Sequence, residues 1–441
     1  MPAGVSVVGA GLAGCEAAWQ LARRGIDVTL FEMKPLRLSP AHRSHDFAEL
    51  VCSNSLRASS LGNAAGLLKE EMRRLGSLVM AAADESAVPA GRALAVDRVA
   101  FSRRITETLE SHPRIRIEPR VVLHVPDDDL VVLATGPLTG AELAADLAAR
   151  LGEEYLYFYD ALSPILHADS LDTEQAFRAS RWEDGEGDYW NLPLDEDAYH
   201  AFVAELLAAD SVPLHPFEAE LYFEGCLPIE EMARRGPETL AHGPMKPVGL
   251  VDPRTGCRPY AVVQLRQEDK QGVLYNIVGF QTKLRQGEQQ RIFRSLPGLA
   301  EACFARFGSL HRNTYVNAPR CLGPTLEVNG RPGLYLAGQI VGVEGYVESA
   351  ALGLLAGIHA ARAARGLPRE LAPETTAHGA LAGYLRDADP RRFQPMNVSY
   401  GLFPALPGPQ GRGGRLGRRE RHERIAARAL ADLAAYAERV A

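Results

Sequence analysis

The sequence predicts an α/β fold: a Rossmann-type dinucleotide-binding domain interrupted by a smaller inserted α+β domain. Three observations carry this. The chain opens with an apolar strand, a glycine-rich turn and a helix. A second apolar strand, Leu130 to Leu133, runs into Ala134-Thr135-Gly136. A third, Leu334 to Ala337, runs into Gly338-Gln339 and a small-residue helix, after a middle stretch of different character.

Val5-Ser6-Val7-Val8 reads as a buried strand, and Gly9-Ala10-Gly11-Leu12-Ala13-Gly14 opens a helix over residues 15–24. Gly9 allows the tight turn, Gly11 lets backbone approach a pyrophosphate, and Gly14 lets helix and strand pack closely. The helix N-terminus offers free N–H groups and a positive dipole end to phosphates. Gly25 stops the helix, and residues 27–31 form a second strand. It ends on Glu32, placed to accept hydrogen bonds from a ribose, with Met33 beside it. Strand, glycines, helix, strand and acid in this order point to an adenine dinucleotide.

Residues 34–50 are polar and rich in Pro, His and Arg, which predicts a loop that Val51-Cys52-Ser53-Asn54-Ser55-Leu56-Arg57 continues. A long loop here reaches back toward a cofactor's reactive ring. Asn63 is the expected cap of a helix over 64–75, with Leu67, Leu68, Met72 and Leu75 on one face. An amphipathic segment at 101–109 and a strand at 115–117 follow. The strand into Ala134-Thr135-Gly136 is the second recurring element of two-dinucleotide flavoproteins. From about residue 183 aromatic residues concentrate (Trp182, Tyr189, Trp190, Tyr199, Tyr222, Phe223), and residues 258–266 and 273–281 read as a hairpin. These features predict a first domain part over 1–183, an insert over 184–312, and a return to the first domain over 313–441. In the return, Gln339 stands where flavoproteins usually carry an aspartate, and Gly345 and Tyr346 open the helix over 347–364. A Pro/Gly/Arg-rich run at 404–417, expected to be mobile, leads into a basic helix over 418–440.

Composition narrows the class. The chain has 441 residues, 46% hydrophobic and 23% charged, the profile of a soluble globular protein of two or three domains. It has no eighteen-residue apolar stretch and no signal-like N-terminus, so no membrane partner is expected. Six scattered cysteines without a CxxC argue against a metal and for a reducing cytoplasm. The net charge of −7 counts against nucleic acid only as a sum, since local patches decide binding.

Two cysteines are candidates for chemistry. Cys226, in Phe223-Glu224-Gly225-Cys226-Leu227-Pro228, precedes a helix start and reads as a nucleophile or a small buried side chain. Cys52 lies in the polar loop. Cys15 and Cys303 sit in apolar helical patterns and are expected in the core, while Cys257 and Cys321 are expected to be structural. Lys283 and Arg285, with the arginines from Arg412 to Arg428 that include Arg418 and Arg419, form a candidate phosphate-contacting surface. His311 and Arg312 lie near the expected domain junction.

Taken together, residues 7–18 and 336–350 resemble the glucose-inhibited-division-A-like flavoproteins. Within them, Val51 to Arg57, Gly225 to Glu230, Arg258 to Arg266 and His311-Arg312-Asn313-Thr314 resemble the bacterial folate- and FAD-dependent tRNA uracil-5-methyltransferases. The larger wobble-uridine relative carries a long helical C-terminal domain that this chain is too short to hold. The resemblance implies FAD as cofactor, methylenetetrahydrofolate as carbon donor and NAD(P)H as reductant. It implies uridine 54 of the tRNA T-loop as acceptor, Cys226 as nucleophile and Cys52 as a second active-site thiol. Three other readings compete: an NAD(P)H-dependent flavin oxidoreductase on a small molecule, a tRNA wobble-uridine modification flavoprotein like the larger relative, and an RNA-binding flavoprotein with structural FAD.

Overall fold

In a computed structural model, the structure describes residues 4–152, 155–183, 185–213, 222, 226–406 and 417–441. Phe223, Glu224 and Gly225, and most of the 404–417 run including Arg412, lie outside the described residues.

A five-stranded sheet organises the first lobe, in the order Leu334–Leu336, Val131–Leu133, Val5–Val8, Val28–Glu32, Ile115–Pro119. All its pairings are parallel. Parallel strands need helical crossovers that cover both faces, so their residues are apolar almost throughout; Val5 to Val8, Val131 to Leu133 and Leu334 to Leu336 are all buried. The three strands picked out from sequence as ending in glycine turns are therefore neighbours, with their C-terminal ends together.

The helix Leu12–Ala22 packs against the late helix Tyr346–Ala364. Glycines make the approach possible. A Cβ on Gly353 would stand 2.1 Å from the Ala13 carbonyl oxygen, and one on Gly357 2.7 Å from that of Ala17. The first helix begins three residues before the expected Cys15, because the turn closes at Gly11.

The second lobe is built on a six-stranded sheet ordered Phe177–Ala179, Tyr189–Leu194, Ala261–Gln267, Leu274–Ile277, Ile165–His167, Phe304–Arg306. All its pairings are antiparallel, and the expected hairpin is its centre. The sheet includes the strands Ile165–His167 and Phe177–Ala179, upstream of the boundary expected at 184. Those short strands carried no local break in composition; cross-strand pairing alone assigns them. Tyr199, Phe202, Phe280 and Phe293 fill a separate core against it. Strand Leu156–Ala161 pairs antiparallel with Leu310–Tyr315, carrying the chain out of the first lobe and back.

Several local expectations are corrected. The loop after residue 34 does not run through Arg57, since Ser55–Ala58 is a strand pairing with Ala93–Val96. Lys69, fully buried, donates to the Leu56 and Ala58 carbonyls at 2.7 Å each and holds that strand down. Asn63 occupies the N-cap of helix Ala64–Arg74, but its side chain donates to Ser60 Oγ and caps nothing. Cys303 is exposed and lies in no helix, because the apolar run before it belongs to a turn leading into the strand Phe304–Arg306. No described helix is long and apolar enough to cross a membrane.

Candidate active site

A cavity opens where the three glycine turns meet. Its wall takes Gly9 to Ala13 from the first turn and Glu32 and Met33 from the second strand. It takes Ala134, Thr135 and Gly136 from the third strand, and Gly338, Gln339 and Tyr346 from the return. Of the expected cofactor residues, Gly14 and Gly345 stand outside the wall. Gly14 lies behind it, where a Cβ would come within 1.7 Å of the Gly9 carbonyl oxygen. Gly345 sits against the Glu348 carboxylate and Asn397.

The cavity fits a dinucleotide on its own geometry. Gly11 is the N-cap of the first helix with no side-chain cap, and a Cβ placed on it would meet nothing within 4 Å. Free N–H groups, a dipole end and open space coincide there, as a pyrophosphate requires. Glu32 accepts the N–H of Ala10 at 2.6 Å and of Lys34 at 3.0 Å, which fixes its carboxylate at the cavity edge. Each oxygen retains a second lone pair for a ribose hydroxyl.

The two candidate cysteines come together beside this cavity. Arg98, at the start of helix Arg98–Glu110, donates to the carbonyls of Leu50 (2.7 Å) and Cys52 (3.1 Å) and pairs with Glu268 of the second lobe at 2.5 Å. Asn54 donates to the Gln267 carbonyl at 2.9 Å, and Arg266 donates to Asn54 Oδ1 at 3.0 Å and Ser53 Oγ at 2.7 Å. The Cys52 loop is thus clamped between the lobes. The N–H of Cys52 donates to the Tyr346 hydroxyl at 2.6 Å. From the second lobe, Cys226 arrives just before helix Ile229–Arg234, with Pro228 at the N-cap. Its thiol lies beside that of Cys52, and both cysteines are half-buried free thiols.

Two carboxyls complete the cluster. The Cys226 sulfur and carboxylate oxygens of Asp160 and Glu344 all lie within 4.8 Å of one another. The adjoining Cys52, burial and the Asp160 charge push the Cys226 thiol well above its ordinary pKa. Burial raises Asp160 to about 6, against Cys226 and Asn313, which pull it down. Burial and then the Asp160 charge push Glu344 well above the usual carboxylate range. Gln339, on the cavity wall, donates to Glu344 at 2.6 Å and links the cluster to the cavity. Glu230 and Glu231, on the helix after Cys226, are engaged elsewhere: Glu230 accepts from Thr282 and the Lys283 N–H, and Glu231 pairs with Lys283.

Asp160 and Glu344 were not singled out by sequence reasoning. The one signal for Asp160 was a lone acid inside the strand Leu156–Ala161, otherwise aromatic and aliphatic.

The basic residues do not form one surface. Lys283 is buried, 2.7 Å from Glu231 and 2.8 Å from the Tyr222 hydroxyl, so it serves the second lobe's interior. Arg285 is exposed at the N-cap of helix Gln286–Phe293. His311 hydrogen-bonds Ser309 at 3.1 Å, and Arg312 lies over the Tyr157 ring. Arg418 and Arg419 are exposed at the start of helix Arg418–Val440, and Arg419 pairs with Glu423. Arg418, Arg421 and His422 line a second cavity of about 470 Å³ with Arg57 and the start of helix Ala64–Arg74.

Comparison with known proteins agrees with this architecture. The family described as "Glucose inhibited division protein A" matches residues 4–368. A protein of Desulforudis audaxviator (strain MP104C) named methylenetetrahydrofolate--tRNA-(uracil-5-)-methyltransferase TrmFO is 58% identical over 93% of this chain and 94% of its own length. A protein of the same name from Geobacter sulfurreducens is 56% identical over 98% of each. Among solved structures, Aquifex aeolicus GidA superposes with a TM-score of 0.70 at 18% identity, covering 99% of this chain and 76% of that one, a likeness of fold. The chain belongs to the TrmFO family of methylenetetrahydrofolate–tRNA-(uracil-5-)-methyltransferases, within the glucose-inhibited-division-protein-A group.

Proposed function

We propose that the protein methylates carbon 5 of a uridine in tRNA, with methylenetetrahydrofolate as carbon donor and FAD as cofactor. The observation that carries this reading is the meeting of Cys226 and Cys52, one from each lobe, against the wall of the dinucleotide cavity. Uracil carbon 5 is a poor nucleophile until a sulfur adds at carbon 6 and turns the ring into an enolate. Cys226 is the sulfur that adds. Cys52 is the second thiol, either assisting proton transfer or protecting an intermediate.

A flavin held in the dinucleotide cavity would supply methylene transfer and the electrons that the folate methylene lacks. Residues 9–13 and Glu32 would hold its adenine dinucleotide half, while Gln339 and Tyr346 lie toward the thiols. In this reading NAD(P)H restores the reduced cofactor, the acceptor is uridine 54 of the T-loop, no metal ion is required, and the reaction takes place in the cytoplasm. The base must leave its stack to reach the sulfur, at a cost of a few kcal/mol. Cationic side chains at Arg285, Arg312, Arg418 and Arg421 are offered to the tRNA backbone.

The test is mass spectrometry of nucleosides from tRNA incubated with the protein, isotopically labelled folate donor and NADH or NADPH. Labelled 5-methyluridine that requires both donor and reductant is expected. A protein that oxidises NAD(P)H without altering tRNA would instead be a small-molecule oxidoreductase.

A further inference from the structure

Asp160 lies on the strand Leu156–Ala161, opposite His311, with Asn313 two residues further along the partner strand. A carboxylate oxygen of Asp160 lies within 4.8 Å of the Cys226 sulfur, and the Asn313 side chain stands beside it. The Asp160 Oδ1 is shut off from solvent and has no hydrogen-bond partner among the described residues. An unpaired buried carboxylate oxygen is costly, and in a native site it calls for a use. We propose that Asp160 is the general base of the addition step: its carboxylate takes the proton of the Cys226 thiol as the sulfur bonds to carbon 6 of the pyrimidine. This rests on the methyltransferase reading above.

The neighbours are less suited to the task. Glu344 accepts the Gln339 amide on one oxygen, and burial and the charges of Asp160, Cys52 and Glu348 hold its carboxyl well above the usual range. Two carboxyls so close do not both ionise cheaply, and such pairs divide into an acid and a base. Asp160, with a buried oxygen left without a partner among the described residues, is the member placed to take a proton. The adjoining Cys52, burial and the Asp160 charge raise the Cys226 thiol, which disfavours a free thiolate. A thiol held in that state adds to a ring efficiently only when a base removes its proton in the same step.

The step balances without an outside reagent. The S–H bond breaks and its proton passes to Asp160, the S–C6 bond forms, and the C5=C6 electron pair moves onto the C4 carbonyl oxygen as an enolate. No redox change occurs. When the C6–S bond later breaks, sulfur leaves as thiolate and recovers the proton from Asp160.

The sign of a substitution separates this role from a passive one. As a mere nearby charge, Asp160 opposes ionisation of Cys226, so its removal would make the thiolate more abundant and addition faster. As a base, its removal makes addition slower. The probe is tRNA carrying 5-fluorouridine, whose fluorine cannot depart as a proton. The flavin-loaded protein with folate donor and reductant then accumulates a covalent adduct, read on a denaturing gel. Asp160→Asn is expected to retain flavin and to form adduct at least ~100-fold more slowly, the low end of general acid–base effects. The wild-type rate is expected to be slower in D2O, a measurement that can still overturn the proposal if Asp160→Asn fails to fold. An Asp160→Asn rate equal to or above wild type, or a wild-type rate indifferent to D2O, would overturn the proposal alone. Failure of the wild type to form any adduct would remove the methyltransferase reading and the proposal with it.

Discussion

The hydroxyl of Tyr346 accepts the backbone N–H of Cys52 at 2.6 Å and that of Ser53 at 3.3 Å. One end of the helix over the dinucleotide cavity therefore holds the loop that carries a reactive sulfur. Tyr346→Phe keeps the ring on the cavity wall and removes the acceptor from two part-buried donors, at about 1–3 kcal/mol. Flavin affinity should stay within a few-fold while kcat falls roughly tenfold or more. Equal kcat in steady-state assays would show that the loop needs no such anchor.

Cys226→Ala deletes the sulfur proposed to add to the ring and changes no residue of the cavity wall. The purified variant should keep its flavin absorbance and lose 5-methyluridine formation by roughly 10³-fold or more. Nucleoside mass spectrometry checks this, and a fully active variant would transfer the nucleophile's role elsewhere.

Gly11 and Gly14 should respond in opposite ways to the same added methyl group. Gly11 has φ −76° and open space before it, so Gly11→Ala should fold normally and lose at least tenfold in flavin affinity. Gly14→Ala would bring a Cβ to 1.7 Å from backbone, so it should cost ~3 kcal/mol or more in stability. Urea denaturation and flavin titration separate the two outcomes.

Arg418 and Arg421 line the second cavity from an exposed helix start. If they meet tRNA phosphates, each change to Gln weakens binding without altering the fold. Each should also reduce the slope of log K against log salt by about one. Filter binding at several salt concentrations measures it, and an unchanged slope would place the tRNA on another face.

His359 is buried on helix Tyr346–Ala364, its two ring nitrogens facing the carbonyls of Thr325 (2.9 Å) and Glu370 (3.2 Å). Burial lowers it from 6.5 to about 4. Between those values the unfolded chain binds more protons than the folded one, so stability is fully present above pH 6.5 and falls toward pH 4. The loss is roughly 3 kcal/mol. Urea unfolding at pH 7.5, 5.5 and 4.5 should show this slope in the wild type and a shallower one in His359→Gln.

Much of the first lobe is legible without coordinates, because its signals are short-range. A turn that needs Gly9 at φ +97°, a helix that must start there and an apolar strand on either side all fall within thirty residues. The second lobe is less legible. Its outer strands have only three residues each, too few for alternation to declare itself, and they are recruited by pairing with distant partners. The basic residues show the same limit. Lys283 and Arg285 look alike in sequence, yet one is buried against Glu231 and the other stands in solvent.

By itself the sequence determined the dinucleotide half of this protein, since backbone geometry, helix termini and apolar runs are properties of neighbouring residues. It also marked Cys226 and Cys52 as thiols worth watching. Only the tertiary structure decided that these sulfurs meet, and that Asp160 and Glu344 flank Cys226. A group's protonation depends on the charges and burial around it in space, and the clamp of Arg98, Asn54 and Arg266 across two lobes sets those neighbours here.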